Sequence, residues 1–144
     1  MRFWDTSALV PLFVSEAASE TMAQLYRADP QIAVAWTAAI ECTSACVRQH
    51  REGRLTDAHL AQLLARLDAF SRSWNLAEPS TDVRVGAQRL VARHGLRAGD
   101  AIQLASAMAT AAFGAVASEF VCLDRRVMLA ATAEGLRVVP ELSA

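Results

Sequence analysis

The chain, 144 residues long, predicts a parallel α/β sheet covered by helices on both faces. Three observations carry that expectation. Short apolar segments alternate along the whole length with longer segments whose apolar residues recur at helical spacing, the pattern of βαβ units. Ile32 to Ala35 and Glu119 to Leu123 read as strands buried on both sides, as parallel strands are. The composition, 53% hydrophobic and 20% charged, is globular, and the chain is long enough to bury about 70% of the surface its unfolded form exposes.

Arg2 to Trp4 is the first strand and leads into Asp5-Thr6-Ser7, side chains that start helices, so a helix is expected over Ser7–Val14 with Pro11 tolerated in its first turn. A second helix spans Ala17–Arg27 and is broken by Asp29-Pro30. After the strand Ile32–Ala35, Trp36 and a Thr37 cap open a helix that is apolar through Ala38, Ala39, Ile40, Cys42, Ala45 and Val47, then polar from Arg48 to Arg54 with Gly53 as its stop. Its first half belongs inside and its second half in water. Thr56 to about Arg72 is the next helix, with Leu60, Leu63, Leu64, Leu67 and Phe70 on one stripe that serves as core or dimer contact. A short strand near Leu76, the Pro79-Ser80 turn and a helix from Thr81 to His94 follow, the helix ended by Gly95. Asp100 opens an almost wholly apolar helix through Phe113, Glu119–Leu123 is a strand, Arg125–Glu134 a helix stopped by Gly135, and Leu136–Val139 the last strand. No repeat, low-complexity tract or linker divides these elements, so residues 1–144 are expected to form a single domain.

Charge and cysteine usage exclude several functions. With a net charge of −1 the chain has no global attraction to nucleic acid or to an anionic membrane, so a polyanion site must be local or made by bound metal. All fourteen basic residues are arginine, which removes Schiff-base chemistry, a P-loop lysine and lysine-dependent phosphoryl transfer. Cys42, Cys46 and Cys122 lack Cys-x-x-Cys spacing, and His50, His59 and His94 form no His-x3-His or His-Glu-x-x-His arrangement, which argues against zinc. Cys42 and Cys46 read instead as small buried apolar residues. No apolar run reaches the ~18 residues that span a bilayer, and Asp5 interrupts the apolar start after the single basic Arg2, so neither membrane insertion nor a signal peptide is expected; the protein reads as cytoplasmic.

Four acids stand where the chain is otherwise apolar: Asp5 after Met-Arg-Phe-Trp, Glu41 within Thr-Ala-Ala-Ile-Glu-Cys, Asp100 opening Asp-Ala-Ile-Gln-Leu-Ala, and Asp124 closing Glu-Phe-Val-Cys-Leu-Asp. Taken singly, Asp5, Asp100 and Asp124 are equally well read as helix caps, each worth about 1 kcal/mol. Jointly they say more. Asp5 and Asp124 follow strands, and in an open parallel sheet all strand C-termini face one edge, where crevices form. Glu41 lies in the apolar half of its helix with no opposite charge three or four residues away, so the cap reading does not cover it. Two ionised carboxylates about 4 Å apart repel by roughly 4 kcal/mol at an effective dielectric near 20, so acids that converge need a cation. An all-oxygen set suits Mg2+ or Mn2+, which acidify water, orient a phosphate and neutralise a leaving oxygen; the reaction this implies is phosphodiester hydrolysis.

Asp5-Thr6-Ser7-Ala8-Leu9, Glu41 about forty residues in, Gly95-Leu96-Arg97-Ala98-Gly99-Asp100-Ala101 and Phe120-Val121-Cys122-Leu123-Asp124 together resemble the PIN-domain ribonucleases, specifically the VapC-like toxins of type II toxin-antitoxin modules. The likeness spans nearly the whole chain in order. It implies a three-layer α/β/α sandwich around a central, mainly parallel sheet of about five strands. It also implies a metal-dependent endoribonuclease in which Asp5, Glu41, Asp100 and Asp124 form the catalytic site, Asp5, Asp100 and Asp124 bind Mg2+ or Mn2+, and Thr6 or Ser7 supplies supporting hydroxyl contacts. RNA as substrate, a cognate antitoxin and a homodimer are the partners implied. The family generally has Thr or Ser two residues before the last Asp, where this chain has Cys122, a weaker hydrogen-bonding group.

Arg89, Arg93 and Arg97, and likewise Arg48, Arg51 and Arg54, could reach RNA phosphates, but each set reads equally well as a solvated helix face. A non-catalytic PIN-like domain that binds RNA or protein and keeps the acids as caps is the alternative function. A phosphatase or receiver domain fits poorly, since the first strand lacks Asp-x-Asp and no lysine is present.

Overall fold

The computed structural model describes residues 1–112 and 119–141. Among them β1 (Arg2–Trp4), β2 (Ile32–Ala35), β3 (Asn75–Ala77), β4 (Glu119–Val121) and β5 (Arg137–Val139) form one sheet in the order β3-β2-β1-β4-β5. Every neighbouring pair is parallel. The connections carry helices α1 (Thr6–Leu9), α2 (Ser19–Ala28), α3 (Ala38–Arg51), α4 (Asp57–Ser71), α5 (Thr81–His94), α6 (Ala98–Ala112) and α7 (Arg125–Ala133).

The chain steps outward from β1 to β2 and β3, then returns past β1 to β4 and β5. Crossovers of one hand place their helices on opposite faces when the steps run in opposite directions, so two cores result. Alternate strand residues serve each core, as the pleat requires. Phe3, Ala33, Ala35, Phe120 and Val138 face α5, α6 and α7 through Val83, Leu90, Leu104, Val127 and Ala131. Trp4, Ile32, Val34 and Val121 face α1 to α4 through Leu9, Met22, Cys42 and Leu67. This is the three-layer α/β/α sandwich that the sequence predicts, with five strands.

Local departures have physical causes. The first helix stops at Leu9 and continues as a 3-10 turn over Val10–Leu12, since Pro11 lacks the N–H that an α-helical continuation uses. Asp100 does not open its helix: α6 begins at Ala98, so Asp100 lies inside the first turn and is not its cap. Thr37 occupies the N-cap position of α3 without capping it; its hydroxyl turns to Glu41 instead. The stripe on α4 is graded, with Leu63 and Leu67 buried and Leu60, Leu64 and Phe70 partly so. The expected end of the α6 helix at Phe113 lies outside the described residues.

Glu134, at the end of α7, ties that helix to α5: its carboxylate accepts from Arg89 at 3.1 and 2.7 Å and pairs with His94 at 2.8 Å and Arg93 at 3.5 Å. Its side chain is only 6% exposed, and the hydrogen bonds from Arg89 and His94 hold its pKa down at about 2. The folded pKa lies below the unfolded value, so this contribution is complete above about pH 4.5 and is lost as pH falls toward 2. Glu134→Gln is expected to cost about 1–2 kcal/mol at neutral pH, a discounted figure because Arg89 and Arg93 lie largely in solvent. Denaturant unfolding across pH checks this: the gap between wild type and variant closes in acid.

Candidate active site

The sheet order places β1 and β4 side by side, and the chain leaves them in opposite directions, toward β2 and β5. Such a switch point opens a crevice at the strand C-termini. Asp5 directly follows β1, and Asp124 lies just beyond β4. The Asp5 N–H donates to Val121 O at 2.9 Å, which joins the two strand ends.

Asp5 is 4% exposed. Its Oδ2 accepts from the Ser7 N–H at 2.9 Å and from Ser7 Oγ at 2.5 Å, an N-cap that also fixes the carboxylate's direction. Ser7 Oγ in turn accepts from the Leu123 N–H at 3.0 Å, so one hydroxyl locks the β1 and β4 loops together. Fully buried Cys122 lies beneath, its Sγ 3.7 Å from Asp5 Oδ2 and 3.6 Å from Asp124 O. The thiol makes only long, weak contacts there, and burial drives its pKa well above the ordinary thiol value.

Burial, reinforced by the charges of Glu41 and Asp100, raises the Asp5 pKa to about 6 against the lowering effect of the Ser7 hydrogen bonds. Asp100, partly buried, is raised chiefly by desolvation and then by Asp124 and Glu41, with Arg126 and Arg97 opposing. Glu41 is held through Oε1, which accepts from Thr37 Oγ1 at 2.8 Å and from Gln103 Nε2 at 2.9 Å. Asp124 caps α7, its Oδ1 accepting from the Arg126 and Val127 N–H groups at 2.8 and 3.3 Å. Asp5 and Asp124 are thus caps and cleft residues at once.

One cleft of about 590 Å³ is lined by Asp5, Thr6, Ser7, Glu41, Asp100 and Asp124, so the six residues singled out in the sequence come together. A larger groove of about 720 Å³, lined by residues such as Trp36, Val83, Val91 and Ile102, contains no acid and offers no comparable chemistry. Within the acid cleft the donors are anionic oxygens, and among the described residues Asp5 has no ion-pair partner. No three Asp, Glu, His or Cys side chains among the described residues form a ready-made cage for an ion. A hard divalent cation fits this donor set, and the mutual repulsion of the acids is the force it would relieve.

Two residues that hold Glu41 were not singled out as site residues by sequence, and a third residue, at the cleft itself, was named only as one of a spaced set. Gln103, 1% exposed, bridges Glu41 and Thr6; its signal is a lone amide in the apolar run Asp-Ala-Ile-Gln-Leu-Ala, one helical turn after Asp100. Thr37 reads as a cap and is a Glu41 ligand instead. Arg48 belongs to a spaced arginine set, and only the fold shows that it lines the acid cleft while Arg89 and Arg93 are engaged by Glu134.

The PIN domain family profile matches residues 2–113. Two curated relatives from Mycobacterium tuberculosis, ribonucleases VapC45 and VapC49, are each 30% identical over 138 residues, covering 96% of this chain and 94% of theirs. Among solved structures, the fold is similar to that of Mycobacterium tuberculosis VapC20, a sarcin-ricin loop cleaving toxin, at a TM-score of 0.67 and 18% identity over 94% of this chain and 96% of that one. It is also similar to a chain of a toxin-antitoxin complex from Klebsiella pneumoniae, at a TM-score of 0.57 and 21% identity over 85% of each chain. With a family profile covering most of its length and relatives matched nearly end to end, the chain belongs to the PIN-domain family, among its VapC-like members.

Proposed function

We propose that this protein is a Mg2+- or Mn2+-dependent endoribonuclease that hydrolyses RNA phosphodiester bonds, and that it is the toxin of a toxin-antitoxin pair. The observation that carries the reading is the sharing of one cleft by Asp5, Glu41, Asp100 and Asp124, where their negative charges oppose one another. The ribonuclease names of its 30%-identical relatives support the substrate class.

In this reading Asp5, Asp100 and Asp124 hold the metal, Asp5 aimed by Ser7 and Asp124 by two backbone N–H groups. A bound divalent ion supplies positive charge to a phosphate and acidifies water. Glu41, fixed through Oε1, orients the attacking water or accepts its proton through Oε2. Thr6 and Ser7 hold the turn that carries Asp5, and Arg48, which makes no side-chain hydrogen bond or ion pair among the described residues, contacts RNA phosphate at the cleft. Exposed Trp36, Ile40, Val85 and Val91 offer apolar surface for an antitoxin or a second copy of the chain. Among the described residues no helix is long and apolar enough to cross a membrane.

The test is cleavage of RNA by purified protein with Mn2+, with EDTA, and with EDTA followed by excess Mn2+. Cleavage is expected to fall by about 10²-fold or more in EDTA and to return with the metal. Full cleavage in EDTA contradicts the reading. Stable RNA binding with no cleavage under any metal condition favours the non-catalytic alternative.

A further inference from the structure

We propose that Gln103 is a positioning residue that sets Glu41 and the Asp5-bearing turn in register with each other, an inference that rests on the nuclease reading above. Gln103 is 1% exposed and lies on α6 one turn beyond Asp100. Its Nε2 donates to Glu41 Oε1 at 2.9 Å and to Thr6 Oγ1 at 3.0 Å, so both amide hydrogens are committed, one to α3 and one to the first residue of α1, next to Asp5. Only the Nε2 end can face Glu41, because an ionised carboxylate accepts and does not donate.

The other end of the amide is left unserved. Gln103 Oε1 is buried with no hydrogen-bond partner among the described residues, and the other buried positions nearby on the same helix are apolar Ala101, Leu104, Ala105 and Ala107 and the small hydroxyl of Ser106, whose Oγ is likewise without a partner. An unpaired buried carbonyl costs stability, and an apolar side chain of the same length would avoid that cost. A residue serving packing alone would be apolar here. What the amide provides is direction: with Thr37 donating to the same Oε1, Glu41 keeps one oxygen occupied and presents the other, Oε2, beside Gly99 at the start of α6. The acid is thereby fixed relative to Asp100 on α6 and to Asp5 beyond β1.

Gln103→Met keeps the length and removes both donors. The expected result is a folded protein with a melting temperature equal to or above wild type, kcat for RNA cleavage lowered by about 10–100-fold, KM for RNA little changed, and Mn2+ affinity in calorimetry weakened by about tenfold. Gln103→Leu, as a second variant of different shape that also lacks both donors, is expected to reproduce the loss. Wild-type kcat together with unchanged Mn2+ affinity in either folded variant overturns the proposal, as does an activity loss that tracks a lowered melting temperature and disappears on cooling. A wild-type chain that binds Mn2+ but cleaves no RNA refutes the nuclease reading, while the calorimetric comparison still decides the role of Gln103.

Discussion

Asp5→Asn is expected to make the metal-free protein more stable at pH 7 while reducing RNA cleavage by roughly 10²–10³-fold. The two effects share one cause. Asp5 is almost wholly buried, and its pKa rises from 3.8 to about 6 because ionisation there is opposed first by desolvation and then by Glu41 and Asp100. Its folded pKa lies above its unfolded value. Between about pH 4 and 6 the folded state therefore keeps a proton that the unfolded state has released, and stability falls as pH rises through that window. The accumulated cost at pH 7 is roughly 3 kcal/mol, and removing it raises the melting temperature by about 5–10 °C. Below about pH 3 both states are largely neutral at this position and the two proteins should unfold alike. Thermal unfolding in EDTA at about pH 3 and pH 7, beside an RNase assay in Mn2+, checks both arms. A variant less stable than wild type at pH 7 would show that Asp5 serves the fold through its charge.

Phe120→Ala is expected to destabilise the protein by about 3–5 kcal/mol, a large part of the margin of an ordinary domain. Phe120 is 1% exposed at the centre of β4, pairs in register with Phe3 of β1, and packs against that ring at a centroid distance of 6.1 Å. It touches no cleft acid directly, yet the residues that follow it are Val121, whose carbonyl receives the Asp5 N–H, then Cys122, Leu123 and Asp124. Truncation empties the junction of β1 and β4, so cleavage should be lost at 37 °C through unfolding and regained at about 15 °C. That recovery separates it from Asp5→Asn, whose loss no temperature restores. Urea unfolding gives the stability change, and activity at the two temperatures gives the rest.

The architecture was legible because its determinants are local. Ile32–Ala35 and the apolar residues before Asp5 and Asp124 are short runs bounded by turn or capping residues, which reads as strands, and a parallel sheet brings strand C-termini to one edge. Asp5, Glu41, Asp100 and Asp124 stood out because an acid amid apolar residues needs a reason. What escaped the sequence depends on contacts between distant segments. Whether an arginine is free for RNA turns on the approach of α7 to α5, which commits Arg89 and Arg93 to Glu134 and leaves Arg48 at the cleft. Gln103 is one polar residue in an apolar helix, and its meaning appears only when α3 and the start of α1 close on it. The start of α6 was misplaced because Ala98-Gly99 carries no capping side chain, whereas Asp100 resembles a cap and lies within the first turn.

The measurement that bears most directly on the four-acid cleft is anomalous X-ray scattering from crystals of the protein soaked in Mn2+. A peak within coordination distance of Asp5 and of Asp100 or Asp124, absent from Asp5→Asn crystals, is the expected result. A manganese peak bound elsewhere, with the cleft holding none at saturating metal, would contradict the assignment.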